Sequence, residues 1–249
     1  MENRRYNTVD AVRGFAILNM AAYHTIWDLV YIFDIKMPWF AAQAVHIWEL
    51  LICTVFIFVS GFCAGMSRKN FKRGLTVFLC GLLVSAVTAV VTPNQCVRFG
   101  VLTLLGSCML IFSAVQKPLK RANPFVGFGA GFLLFAFAYG VNKGYLGFFT
   151  LRLIELPQAL YKNTLSAYFG FPPPAFTSSD YFSLIPWLFL FLTGFFFFEI
   201  LMQKHCLGRL KPSKCRPLEW LGKHSLVIYL AHQPIIYVVL SAVFFLIKR

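Results

Sequence analysis

The chain has 249 residues, of which 59% are hydrophobic, 18% aromatic and only 13% charged; that is too apolar for a soluble domain, and the apolar residues fall in long blocks. A formal net charge of +14 would suggest a nucleic-acid partner in a soluble protein, but here the basic residues lie between apolar blocks, where they act as topology signals and leave nucleic acid out. The expected fold class is all-α integral membrane, a multi-span helical bundle of about seven transmembrane helices forming one domain over 1–249, with the lipid bilayer as its solvent.

Seven stretches reach bilayer length, near 8–32, 44–66, 74–92, 99–116, 124–140, 182–203 and 225–247. The first is too long for a signal peptide, and Arg13, His24 and Asp28 interrupt it, so it is expected to stay in the mature protein. With the N-terminus cytoplasmic, sixteen of the twenty-three lysines and arginines fall on the cytoplasmic side. These include Arg4 and Arg5, the cluster at 68–73, the cluster at 117–121, and a basic loop at 204–223 that holds Lys211 and Lys214. The remaining seven, Lys248 and Arg249 among them, fall outside, which places the C-terminus there. Five of the seven cysteines lie in or beside spans, and Cys206 and Cys215 lie in the basic loop, so no disulfide framework follows. The sequence contains no P-loop, no dinucleotide glycine pattern and no internal repeat of the kind found in inverted-repeat transporters.

The first span, VDAVRGFAILNMAAYHTIWD from Val9, carries Asp10, Arg13, His24 and Asp28 where lipid-facing sequence carries no charge. Asn7 or Thr8 can cap its helix, with Asp10 in the first turn. Each charge at mid-span costs roughly 2.5–3.5 kcal/mol, so a face with several points to a functional pathway in the bundle interior. Arg13 and His24 are eleven residues apart, which at roughly 100° per residue returns to nearly the same face about 16 Å further along. Asp10 and Arg13 form an i,i+3 pair, either a helix-end salt bridge or a site at which Arg13 meets phosphate. His24 and Asp28 stand i,i+4, a spacing at which the carboxylate can accept one imidazole proton and raise the basicity of the other nitrogen.

The second span opens with His46 and Glu49, which could form an ion pair, contact an acceptor, or join His24 and Asp28 as metal ligands; Ser60, Gly61, Ala64 and Gly65 give it a close-packing face. In the third span Gly81, Ser85 and Thr88 are packing positions, and the glycine- and phenylalanine-rich fifth reads the same way. Arg98 opens the fourth as a snorkelling arginine or a substrate contact. Residues 141–181 form an extracytoplasmic loop, where FFTLRLIELPQALYKNTLSAYF predicts an amphipathic interfacial helix kinked at Pro157, able to roof the space above His24. The sixth span brings Asp180, Pro186, Trp187 and Glu199. In the last, His224 and Ser225 begin the helix from the cytoplasm, while His232 and Gln233 lie within it, His232 either as a buried histidine bonded to a neighbouring helix or as a site residue.

The patches VDAVRGFAILNMAAYHTIWD, FIFVSGFCAG, RFGVLTLLG, DYFSLIPWLFLFLTG and LGKHSLVIYLAHQP, in that order along nearly the whole chain, resemble the bacterial relatives of the heparan-α-glucosaminide N-acetyltransferase catalytic domain. The ten residues between Arg13 and His24 also look like the arginine and histidine pair of the membrane acyltransferases that O-acetylate bacterial surface polysaccharides. The resemblance implies an enzyme of the bacterial cytoplasmic membrane. It would be an N- or O-acyltransferase moving an acetyl or other short acyl group from acetyl-CoA, or another acyl-CoA, to a sugar or cell-envelope acceptor, with no metal. Combined with the residues above, it gives His24 and Asp28 as catalytic groups and Arg13, Asp10, His224 and Ser225 as acyl-CoA contacts. His46, Glu49, Arg98, Asp180, Trp187, His232 and Gln233 become acceptor contacts. Alternatives are a transporter or flippase for a lipid-linked sugar and a metal-binding membrane protein; assembly as a homo-oligomer is compatible with any of these.

The charge distribution yields a direct test. A tag at the C-terminus should be reachable from outside intact cells and one at Lys69 only after permeabilisation, and a C-terminus found inside would end the seven-span topology.

Overall fold

Short polar or proline-containing breaks divide the apolar sequence into rods, and with backbone groups unable to bond to lipid each rod closes its hydrogen bonds internally as a helix. The computed structural model describes residues 6–210 and 215–247. Arg4, Arg5, Lys211, Lys214, Lys248 and Arg249, counted above as topology signals, lie outside the described residues. In chain order the elements are α1 (Asn7–Tyr31), α2 (Gln43–Met66), α3 (Asn70–Val91), α4 (Val101–Arg121) and α5 (Pro124–Phe137), then a hairpin of β1 (Tyr145–Phe148) and β2 (Leu151–Glu155). After them come α6 (Thr164–Phe169), α7 (Leu184–Gln203), α8 (Arg216–Lys223) and α9 (Ser225–Ile247).

Among the described residues, six stretches are long and apolar enough to cross a membrane: α2, α3, α4, the stretch Pro124–Lys143, α7 and α9. The chain is an all-α, multi-span membrane fold. Helix α1 has the length, 25 residues, but is not one of the six, and its polar and charged positions are the reason. Helix α5 is 14 residues long, about 21 Å, short of a hydrocarbon core of roughly 30 Å, and turns running to Lys143 extend it. It starts on Pro124 with Asn123 accepting from the N–H groups of Phe125 and Val126. Helix α1 starts on Asn7 with Tyr6 at the N-cap position, one residue before the Asn7 or Thr8 expected there.

The chain forms two compact units, Met1–Phe56 with Cys206–Arg249, and Ile57–His205, the boundary falling within α2. In the second unit, backbones meet where side chains are missing. A Cβ on Gly61 would stand 1.8 Å from the carbonyl oxygen of Phe191, and one on Gly194 would stand 2.0 Å from that of Phe58, so α2 and α7 run antiparallel in direct backbone contact. Helices α3 and α4 meet in the same way, Gly81 against Thr103 and Gly106 against Phe78. Phe112, Phe191 and Phe195 are wholly buried around these contacts, the rings of Phe112 and Phe195 4.7 Å apart.

Where one amphipathic helix kinked at Pro157 is expected, the structure has an antiparallel hairpin pairing Tyr145 with Glu155 and Phe148 with Leu151, then a 3-10 turn at Gln158–Tyr161 and the six-residue α6. The apolar residues of LRLIEL fit either period, and the glycines decide. Gly144, at φ 89°, ends the 3-10 turn Val141–Lys143 and leads into β1, the chain reverses at Phe149 with φ 52°, and a side chain on Gly147 would collide with the Leu151 carbonyl. Pro157 then follows the strand instead of bending a helix. Three tyrosines tie the segment down, Tyr161 donating to the carbonyl of Val141, Tyr168 to the hydroxyl of Ser107 and Tyr181 to the carbonyl of Ala167. Burial pushes the Tyr181 hydroxyl up to about 12, so it remains a donor.

Gly194→Ala should cost about 1–3 kcal/mol by overpacking, measured as a lowered unfolding midpoint in detergent. Gly129→Ala, where an added Cβ meets nothing within 4 Å, should leave the midpoint in place.

Candidate functional site

Most of the residues singled out in the sequence fall in the first unit, carried by α1, the start of α2, α8 and α9. The placement begins with two glycines. A Cβ on Gly14 would stand 1.9 Å from the carbonyl oxygen of Leu218, and one on Gly222 would stand 1.8 Å from that of Asp10, so α1 and α8 cross antiparallel with their backbones touching. Neither glycine was picked out from the sequence, although Gly14 directly follows Arg13 and Gly222 directly precedes Lys223. Glu219 is buried beside this contact and pairs with Lys223 one turn on, at 3.7 Å.

The α1–α8 contact fixes the start of α9. The guanidinium of Arg13 donates to the hydroxyl of Ser225, which is buried. His224, between α8 and α9, bonds through Nδ1 to the carbonyl of Trp220 at 2.9 Å and lies against the indole. A carbonyl only accepts, so Nδ1 carries a proton. Arg13, Ser225 and His224, three of the expected acyl-CoA contacts, therefore sit together, and the backbone of the fourth, Asp10, packs on Gly222.

At the far end of α1 the partners are again on α9. The rings of His24 and His232 are 5.0 Å apart, and Asp28 accepts at Oδ1 from the side-chain amide of Gln233 at 2.6 Å. Asp28, fully buried, thus takes Gln233 as its hydrogen-bond partner in place of the expected imidazole. Both helices read in the same direction through these pairs, Arg13 with Ser225, His24 with His232 and Asp28 with Gln233, so α1 and α9 run parallel.

A second face of α1 meets α2. Tyr23, edge-on to His24, donates to Glu49 at 3.0 Å, and Trp48 donates to Asn19 at 3.1 Å. Glu49 also lies 3.6 Å from Nδ1 of the exposed His46, the spacing that the ion-pair alternative requires. Tyr23, Asn19 and Trp48 were passed over in the sequence, where only the i,i+4 spacing of Asn19 and Tyr23 hints at a shared face. Among the described residues no three histidines, cysteines or carboxylates gather as a metal site, so His24, Asp28, His46 and Glu49 do not combine into the alternative ligand set.

The other expected acceptor contacts belong to the second unit. Asp180 accepts at Oδ2 from the N–H of Val101, capping α4, and Trp187 is buried between Phe135 and Phe182. Arg98 is exposed, and its backbone N–H and carbonyl both bond to Ser178.

A helical membrane protein that keeps an arginine, two histidines and a carboxylate between its first and last helices has the makings of a membrane-embedded enzyme. Residues 5–234 match the catalytic domain of heparan-alpha-glucosaminide N-acetyltransferase, and the chain belongs to that family of membrane acetyltransferases. None of the curated proteins and none of the solved structures matches it.

Gln233→Leu leaves a buried carboxylate oxygen without its donor and should cost about 1–3 kcal/mol in detergent unfolding. Changing Asp28 and Gln233 to leucine together should recover most of that loss.

Proposed function

We propose that the protein transfers an acetyl or other short acyl group from cytosolic acyl-CoA to an amine or hydroxyl of a sugar or cell-envelope acceptor, in the cytoplasmic membrane of a bacterium. One observation carries the reading. Arg13 and His24, about 16 Å apart along α1, are met by a single neighbour, α9, through Ser225 and His232.

The anionic end of the donor docks on the Arg13 fork, which spends one donor on Ser225 and keeps the rest for phosphate, with His224 alongside. The pantetheine arm runs along α1 toward His24. His24 serves as general base: the X–H bond of the acceptor breaks as X–C forms, C–S breaks, and the CoA thiolate leaves. Asp28, held by Gln233 one turn beyond His24, positions α9 against α1. His46 and Glu49, linked to His24 through Tyr23, flank the acceptor's approach. In the other unit Asp180 accepts from the N–H of Val101, Trp187 is buried and Arg98 is exposed. The parallel run of α1 and α9 supports a first helix that crosses the membrane, since five candidate spans lie between them and an odd number restores direction. With that helix the protein would cross seven times, and the bias of its basic residues puts the N-terminus in the cytoplasm.

Detergent-purified protein given acetyl-CoA and a crude envelope glycan should consume thioester. His24→Ala should abolish this while expression and acyl-CoA binding persist, and Arg13→Ala should raise the KM for acyl-CoA about tenfold, with residual binding less sensitive to salt. Normal turnover in His24→Ala would reject the general base, and intact wild type that never consumes thioester but moves a lipid-linked sugar would make the protein a transporter.

A further inference from the structure

His232 is built for more than filling space beside His24. Its Nδ1 lies against the carbonyl of Tyr229, which can only accept, so Nδ1 holds the ring proton and Nε2 presents a bare lone pair. That Nε2 is buried, and no donor among the described residues reaches it. The same is true of Asp28 Oδ2 and Gln233 Oε1. The amide orientation follows from chemistry, because its NH2 must face the carboxylate, which turns Oε1 away. Three buried acceptors on neighbouring residues therefore lack a donor.

One proton would supply it, and His24 is placed to bring one. Two imidazoles joined in line by an N–H···N bond of about 2.9 Å have centroids about 5 Å apart. The rings of His24 and His232 are 5.0 Å apart and tilted by 56°, close enough for that bond to form on turning one ring, although no hydrogen bond joins them in this structure. Around them, α1 adds Asp28 and Tyr23, α2 adds Glu49 and beyond it His46, and α9 adds Tyr229. Arg13, with Glu219 and Lys223 of α8, belongs to the other end of α1, about three turns away.

We propose that His24 and His232 hold one proton between them, and that His232 is a positioning residue which keeps the proton lifted from the acceptor available for return. As X–C forms and C–S breaks, the proton of X–H passes to His24, rests in an N–H···N link to His232 Nε2, and goes to the thiolate sulfur, leaving both rings as they began. The timing of this cycle rests on the acyl-transfer reading; the shared proton does not.

The test uses the full chain in lipid nanodiscs with 15N-labelled histidine, assigned by His24→Gln and His232→Gln. In the wild type, the two rings should titrate together in two separated steps and show a 15N–15N coupling across the bond when one proton is bound. In each variant the surviving ring should titrate in one step at a shifted pH. Independent titration without coupling in the wild type, a measurement that needs no variant to fold, overturns the proposal. If thioester is consumed, His232→Gln should lower kcat about 10²-fold and leave the KM for acyl-CoA unchanged; an unchanged kcat removes His232 from the cycle. A coupled pair in a protein that consumes no thioester would sink acyl transfer and keep the shared proton, whereas turnover with uncoupled rings would do the reverse.

Discussion

The candidate site depends on two places where a side chain is absent. Gly14 and Gly222 let α1 and α8 approach until the carbonyls of Leu218 and Asp10 occupy the space that Cβ atoms would fill. In a bilayer, where lipid is as apolar as leucine, close approach of this kind supplies much of what holds helices together. Here it also sets a register. With α8 locked to α1, the start of α9 has one position, and the reach of Arg13 to Ser225 follows. From that anchor α9 runs alongside α1, and the meeting of His24 with His232 is a consequence of the register set at the other end.

Family membership and geometry contribute different things. The family match over residues 5–234 gives the class of reaction. The geometry gives a division of labour along α1: its start faces a hydroxyl and a histidine at a basic loop, and its far end faces a second histidine and an amide. Keeping a carboxylate wholly buried with a neutral amide as partner is costly, a cost more easily understood at a site of chemistry than in a packing core.

The spans could be read directly from the sequence because apolar length is a one-dimensional property; the last was expected at 225–247 and is found at Ser225–Ile247. The polar residues of α1 were equally legible, since spacing within one helix fixes which groups share a face. Partners some two hundred residues away were not, so Asp28 could be paired on paper only with its i,i+4 neighbour, whereas Gln233 holds it in the fold. Asp180, at the entry of the sixth span, and Trp187, inside it, were expected to meet the acceptor, and the fold adds what one sequence could not: Asp180 accepts from the N–H of Val101, and Trp187 is buried. The hairpin was missed because LRLIEL satisfies both a helical and an alternating pattern, and the deciding residue, Gly144, stands just before it.

The pairing of the first helix with the last has a consequence for biosynthesis. Arg13, His24 and Asp28 are made some two hundred residues before Ser225, His232 and Gln233. Until α9 is made, the polar groups of α1 lack the partners that offset their burial. The α1 side of the site therefore waits for α9 to be synthesised. A product truncated before Ser225 would keep five of the six strongly apolar spans and none of the α9 side of the site.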